Sequence, residues 1–165
     1  MILGIGNMIL RDDGIGPRLI QELRNIISDP DIALRETSLS GINLMELLTG
    51  FDHAIIIDAI QTGARPGEIH WLAASDFATQ HGDVSSNHNM NLFQAIELGR
   101  DLGEPMPKEI TIVAIEAENV TDFGEALTLE VESTIPVALE QILAKINKGK
   151  EPLRSRTLAR SIEAK

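Results

Sequence analysis

Residues 4–20 read GIGNMILRDDGIGPRLI. A short apolar strand runs into a glycine-rich turn, and the turn runs into a periodic apolar segment. Ile15, Leu19, Ile20, Leu23, Ile26 and Ile27 recur at a spacing of about 3.6 residues, the stripe of an amphipathic helix over 16–28. Pro17 suits the first turn of that helix and a preceding aspartate suits its cap. Ser28, Asp29 and Pro30 end it. Strand, turn and helix in this order open an α/β unit.

Turns of this kind commonly hold phosphate at the helix N-terminus. Here Asp12 and Asp13 stand in that place. The dinucleotide spacing G-x-G-x-x-G is also broken, because Ile9 occupies its third position. Two carboxylates attract cations and repel phosphate, so a nucleotide- or phosphate-binding module is disfavoured. Asp12 and Asp13 read as metal ligands or as helix caps. The glycines read as tight-turn residues with positive φ.

Further strands and helices alternate along the chain. Residues 32–37 (IALRET) form a candidate strand and 42–48 (INLMELL) a short helix. Residues 54–58 (AIIID) and 110–115 (ITIVAI) are apolar runs of the kind buried on both faces of a parallel sheet. Residues 68–72 (EIHWL) alternate after Pro66-Gly67, which marks an edge or antiparallel strand. Asp83 to Ser86 read as the entry to a helix reaching Leu102, with Leu92, Phe93, Ala95 and Ile96 supplying its apolar contacts. A last helix spans about 128–146, with Pro136 marking a kink or a late start. The pattern predicts a three-layer α/β sandwich: a mostly parallel twisted sheet of about five strands, one edge strand antiparallel, and helices on both faces.

The composition supports one domain. The chain has 165 residues and 43% hydrophobic content, enough for a single core without staples. It has no cysteine, which removes disulfides, zinc–thiolate sites and a thiol nucleophile. There is no apolar run of about 18 residues to span a membrane, and no basic segment precedes the first apolar stretch as in a signal peptide. The expected location is the cytoplasm. Residues 148–165 carry a local charge of +4, leaving −15 on the rest of a chain whose net charge is −11. So acidic a body repels nucleic acid and anionic membrane. The domain is expected over 1–147, with 148–165 a basic, solvated, flexible tail.

Ligands of open α/β sheets bind beyond the carboxyl ends of the strands. That rule collects Asp12 and Asp13 after the first strand, Asp58 at the end of AIIID, Glu116 after ITIVAI, and His88 at a helix start. Carboxylates with one imidazole suit a borderline divalent ion. Each has a plainer reading, as cap, strand end or surface histidine. His53, His70 and His81 have weaker cases, His81 being the best placed of the three.

Five segments, in order, carry a resemblance over residues 1–147: GIGNMILRDDGIG at the start, IIIDAI at 55–60, PGEIHWL at 66–72, HNMNL at 88–92, and LTLEVESTIPVALEQIL at 127–143. The chain resembles the maturation endopeptidases of nickel-iron hydrogenases, which trim the C-terminal extension of the hydrogenase large subunit. The resemblance implies a metal-binding trio at Asp13, Asp58 and His88, with Asp13 where the family carries Glu or Asp. These three are also the implied catalytic residues. It implies a nickel ion supplied by the large-subunit precursor and no organic cofactor; a monomer is expected. The ion would polarise the scissile carbonyl or activate water. Alternatively it would only position the substrate while a carboxylate acts as general base, Asp12 being the candidate. The 42–48 helix and the 79–87 loop would flank the cleft. A second reading is a non-catalytic docking or delivery protein that holds nickel for hydrogenase assembly.

Overall fold

The computed structural model describes residues 1–74 and 89–162. Strands β1 (Ile2–Ile5), β2 (Leu34–Thr37), β3 (His53–Ile60), β4 (Ile69–Ala73) and β5 (Glu109–Glu116) form one sheet in the order β2-β1-β3-β5-β4. All neighbours are parallel except β4, which runs antiparallel to β5 at the edge. Helices α1 (Ile15–Ile26), α2 (Ile42–Leu48), α3 (Asn89–Asp101), α4 (Leu129–Glu132) and α5 (Ile135–Ile162) cover its faces. The expected sandwich is therefore the one observed.

The two faces are packed by alternate residues of the same strands, as the pleat requires. Leu3, Ile5, Ile56, Ile60, Ile110 and Ile112 pack with Leu44, Met45 and Leu48 of α2 and Leu92, Ala95 and Ile96 of α3. Ile2, Ile57, Val113 and Ile115 pack with Leu19, Ile20 and Leu23 of α1 and with Val131, Ala138 and Ile142 of α4 and α5. The side chain of Phe93 and the expected helix entry at 83–86 lie outside the described residues.

Several boundaries differ from the sequence reading. Strand β3 continues past Asp58 to Ile60, because Ala59 and Ile60 keep pairing with Ile115 and Glu116 of β5. Ile26 is half exposed rather than on the buried face of α1, since the chain turns extended at Ile27. The last helical region is two helices. Pro136 is the second residue of α5, where its missing N–H has no intrahelical acceptor to lose, so the late start is the one realised. Helix α5 then runs on through Ile162. Among the described residues no helix is long and apolar enough to cross a membrane.

Both sheet edges are tied down. Trp71 on β4 donates its indole N–H to Gln141 on α5 at 2.6 Å. Thr134 donates its hydroxyl to the Gly67 carbonyl at 2.9 Å. On the other edge Glu36 of β2 pairs with Arg24 of α1 at 3.0 Å.

Candidate active site

The chain leaves β1 toward β2 on one side and returns to β3 on the other. The carboxyl ends of β1 and β3 are thus the topological switch point, where open α/β sheets place their ligands. Gly4 pairs with Ile57, so Asp58 stands level with the end of β1. The turn carrying Asp12 and Asp13, a 3-10 turn over Arg11–Gly14, follows β1 at the same rim.

Close backbone approach sets this rim, more than turn geometry. A Cβ on Gly16 would strike the carbonyl oxygen of Ile5 and come within 2.7 Å of that of Ile57. Helix α1 therefore begins directly on the ends of β1 and β3, as only glycine permits. Gly6 has φ of 142°, and a Cβ there would collide with the Asp13 carbonyl oxygen. The expectation of positive φ holds in this stretch for Gly6, while Gly4 and Gly16 serve packing.

Asp58 lies between Ile56 and Ile60 in the strand alternation, on the face covered by α2 and α3. It is 1% exposed, and among the described residues neither carboxylate oxygen has a hydrogen-bond partner. Burial raises its pKa well above the ordinary carboxylate range, and the neighbouring Asp13 carboxylate raises it further. The Ala59 amide opposes the shift without reaching hydrogen-bonding geometry to either oxygen. A buried carboxylate with no donors beside a second carboxylate is costly to ionise unless a cation joins it.

Asp13 is also buried, and its Oδ2 accepts the Asn7 backbone N–H at 2.6 Å. Asp12 faces elsewhere. It is fully buried, and its oxygens accept the backbone N–H groups of Glu118 (3.0 Å), Asn119 (2.9 Å) and Thr128 (2.7 Å), together with the Thr128 hydroxyl (2.9 Å). Neither aspartate caps α1. Its N-cap is Gly14, and no side chain bonds there. The cap reading is corrected by the geometry: the turn over Arg11–Gly14 carries the chain past the cap position before the helix starts.

Glu116 ends β5 at the rim, but its oxygens are taken by Thr62 N–H (2.7 Å), Thr62 hydroxyl (2.8 Å) and Gly63 N–H (2.8 Å). It ties the turn after β3 and is not free for a ligand. His53 sits at the opposite end of β3, 3.6 Å from Glu109, and His70 lies on β4, 3.8 Å from Glu68. His88, His81 and the 79–87 loop lie outside the described residues. Helix α3 begins at Asn89, the residue after His88. Among the described residues no three His, Cys, Asp or Glu side chains gather to hold a metal ion. Asp13 and Asp58 are the pair that the structure brings together, and Asp12 and Glu116 are set apart by their hydrogen bonds. Residue chemistry and local pattern do not separate Asp12 from Asp13, because the donors that distinguish them are more than a hundred residues away; only the family resemblance set Asp13 apart.

A family model described as HycI, hydrogenase maturation protease, matches residues 17–145, a span that contains Asp58 and His88 and begins after Asp13. The chain is 31% identical over 151 residues to the hydrogenase 2 maturation protease of Escherichia coli (strain K12), covering 90% of this chain and 91% of that protein. Its fold is similar to that of the hydrogenase maturating endopeptidase HybD from E. coli, with TM-score 0.72 and 30% identity over 90% of this chain and 91% of that one. It is likewise similar to the [NiFe] hydrogenase maturation protease HybD from Thermococcus kodakarensis, with TM-score 0.67 and 25% identity over 88% and 96% of the two chains. Switch-point carboxylates, sheet order and these matches agree, and the chain belongs to the hydrogenase maturation protease family and is a peptidase.

Proposed function

We propose that this peptidase removes the C-terminal extension of a [NiFe] hydrogenase large-subunit precursor that already carries nickel, and that Asp13, Asp58 and His88 engage that nickel. The observation that carries the reading is Asp58, a buried carboxylate beside Asp13 whose two oxygens have no partner among the described residues. A divalent ion arriving with the substrate supplies the positive charge that the pair lacks. Carboxylate oxygens suit such an ion, and an imidazole adds the nitrogen donor of a borderline site.

Held by these residues, the precursor's metal centre sets where its scissile peptide lies. Fixing a reacting bond in this way accounts for large rate factors without any further catalytic group. When bound, such an ion would supply Lewis-acid polarisation of the carbonyl or of the attacking water. Cleavage then depends on completed metal insertion, so the protease acts as a checkpoint. The enzyme is read as a cytoplasmic monomer with no organic cofactor of its own.

The test is cleavage of the precursor with and without nickel, followed by mass. Wild type is expected to shorten only the loaded form, and Asp58→Ala and His88→Ala are expected to leave it intact. Equal cleavage of nickel-free precursor, or full activity of Asp58→Ala, overturns the reading.

A further inference from the structure

Asp12 and Asp13 are adjacent, yet their side chains serve opposite sides of the rim. The backbone leading into them is bent by Arg11, which has φ of 46°, in the left-handed region that residues with a Cβ seldom adopt. Such a conformation persists where its surroundings over-determine it. The Arg11 amide donates to the Gly124 carbonyl at 2.8 Å, and the Gly124 amide returns to the Ile9 carbonyl at 2.9 Å. The Asp12 amide donates to the Asn119 carbonyl at 3.0 Å. The Asp12 carboxylate adds its four acceptor contacts to Glu118, Asn119 and Thr128.

An ionised carboxylate offers about four lone-pair sites. In Asp12 one donor reaches Oδ1 and three reach Oδ2, and the group is fully buried. A general base must reach a water or substrate proton within hydrogen-bond distance. Asp12 is closed off from solvent, and four donors already hold its carboxylate. What it does have is a grip on the 117–128 connection between β5 and α4. That connection is braced internally, because Asn119 accepts from the amides of Thr121 and Asp122 and donates to the Asp122 carboxylate.

We propose that Asp12 is a positioning residue: by tying the 117–128 connection to the Arg11–Gly14 turn, it holds Asp13 against Asp58. This deepens the function proposed above and rests on it, since Asp13 and Asp58 are the pair assigned to the substrate's nickel. Asp12 works through Asp13 and touches neither ion nor scissile bond.

The test uses the full chain as wild type, Asp12→Asn and Thr128→Val. Asparagine turns one acceptor oxygen into an NH2 that faces donors, whereas valine removes only the Thr128 hydroxyl. Three readouts are compared: hydrogen exchange of the Asn7 and Asp13 amides and of 117–128, Cd²⁺ affinity by calorimetry, and kcat and KM on nickel-loaded precursor. Asp12→Asn is expected to speed exchange in both segments and to lower Cd²⁺ affinity and cleavage together by about 10- to 100-fold, the usual effect of losing a partner behind a ligand. Thr128→Val is expected to move all three in the same direction by a smaller factor. If Asp12→Asn does not fold, Thr128→Val decides. Cleavage abolished by Asp12→Asn with exchange and Cd²⁺ affinity unchanged makes Asp12 the base and overturns the proposal. A Thr128→Val protein that matches wild type in every readout overturns it as well. If wild type takes up no Cd²⁺ and cleaves nickel-free precursor, the nickel reading fails. The Asp12 proposal is then decided by exchange at Asn7 and Asp13, so the two failures are separable.

Discussion

Thr128 donates both its backbone N–H and its hydroxyl to Asp12, across 116 positions of chain. The next carboxylate, Asp13, instead accepts the Asn7 amide and lies beside Asp58. Two chemically identical neighbours therefore divide into one held by four hydrogen bonds and one that lies beside Asp58, unpartnered among the described residues. This division yields predictions in which stability and cation binding respond differently to each carboxylate.

Asp58→Asn is expected to change how stability depends on pH. The folded-state pKa of Asp58 is raised by burial and then by Asp13. In the cation-free protein the folded chain keeps this proton at pH values where the unfolded chain has released it. The resulting stabilisation is fully present below about pH 4, the unfolded value, and is lost as pH rises through the folded value. The Asn variant lacks that loss. At pH 7 it should melt higher than wild type by a few degrees, at about 2–4 °C per kcal/mol for a chain of this size. At pH 4 the two should melt together. Calorimetric melts across this range check it, and a variant that melts lower than wild type at pH 7 contradicts the assignment of an unsatisfied charge.

Cd²⁺, as a stable stand-in for Ni²⁺, should raise the melting temperature of wild type. A ligand at a hundred times its Kd adds about 2.7 kcal/mol. Asp58→Asn and His88→Ala should abolish the shift. The His88 variant places a residue from outside the described segments in or out of the site. An undiminished shift in His88→Ala removes it from the trio.

Glu116→Ala should behave oppositely to Asp58→Asn. It removes the acceptor for three donors in the turn after β3. Losing hydrogen bonds to a charged group costs about 1.5–3 kcal/mol. Urea unfolding should show a loss of that size with Cd²⁺ binding retained. Loss of Cd²⁺ binding without loss of stability would instead make Glu116 a ligand.

Gly16→Ala should destabilise by about 1–3 kcal/mol, the range for overpacking, with the upper end expected because backbone carbonyls cannot swing aside. The added Cβ meets Ile5 and Ile57 at the ends of β1 and β3. It should also lift α1 from the rim and lower cleavage. Unfolding midpoints and a cleavage assay on one preparation check both effects, and a wild-type midpoint would show that the helix start tolerates a side chain.

Much of this architecture is legible in the residues themselves. Runs such as AIIID and ITIVAI declare strands buried on both faces, and the Ile15–Leu23 stripe declares the buried side of α1, because period and apolarity are local properties. The rule of strand carboxyl ends places Asp13 and Asp58 at one rim from their positions alone. Element ends are less legible. Asp58 reads as the close of a strand, but pairing with β5 carries β3 two residues further.

By itself, the sequence determined the alternation of strands and helices, the composition of the core and the set of carboxylates at the rim. Tertiary structure alone decided the order β2-β1-β3-β5-β4, which puts the switch point between β1 and β3. It alone decided that Asp12 and Glu116 are held by hydrogen bonds while Asp58 has no partner among the described residues. The physical reason is range. Burial of a face follows from side-chain period within one element, whereas the state of a carboxylate depends on which donors chain closure brings to it. For Asp12 those donors come from Glu118, Asn119 and Thr128, and for Asp58 none arrives from the described residues.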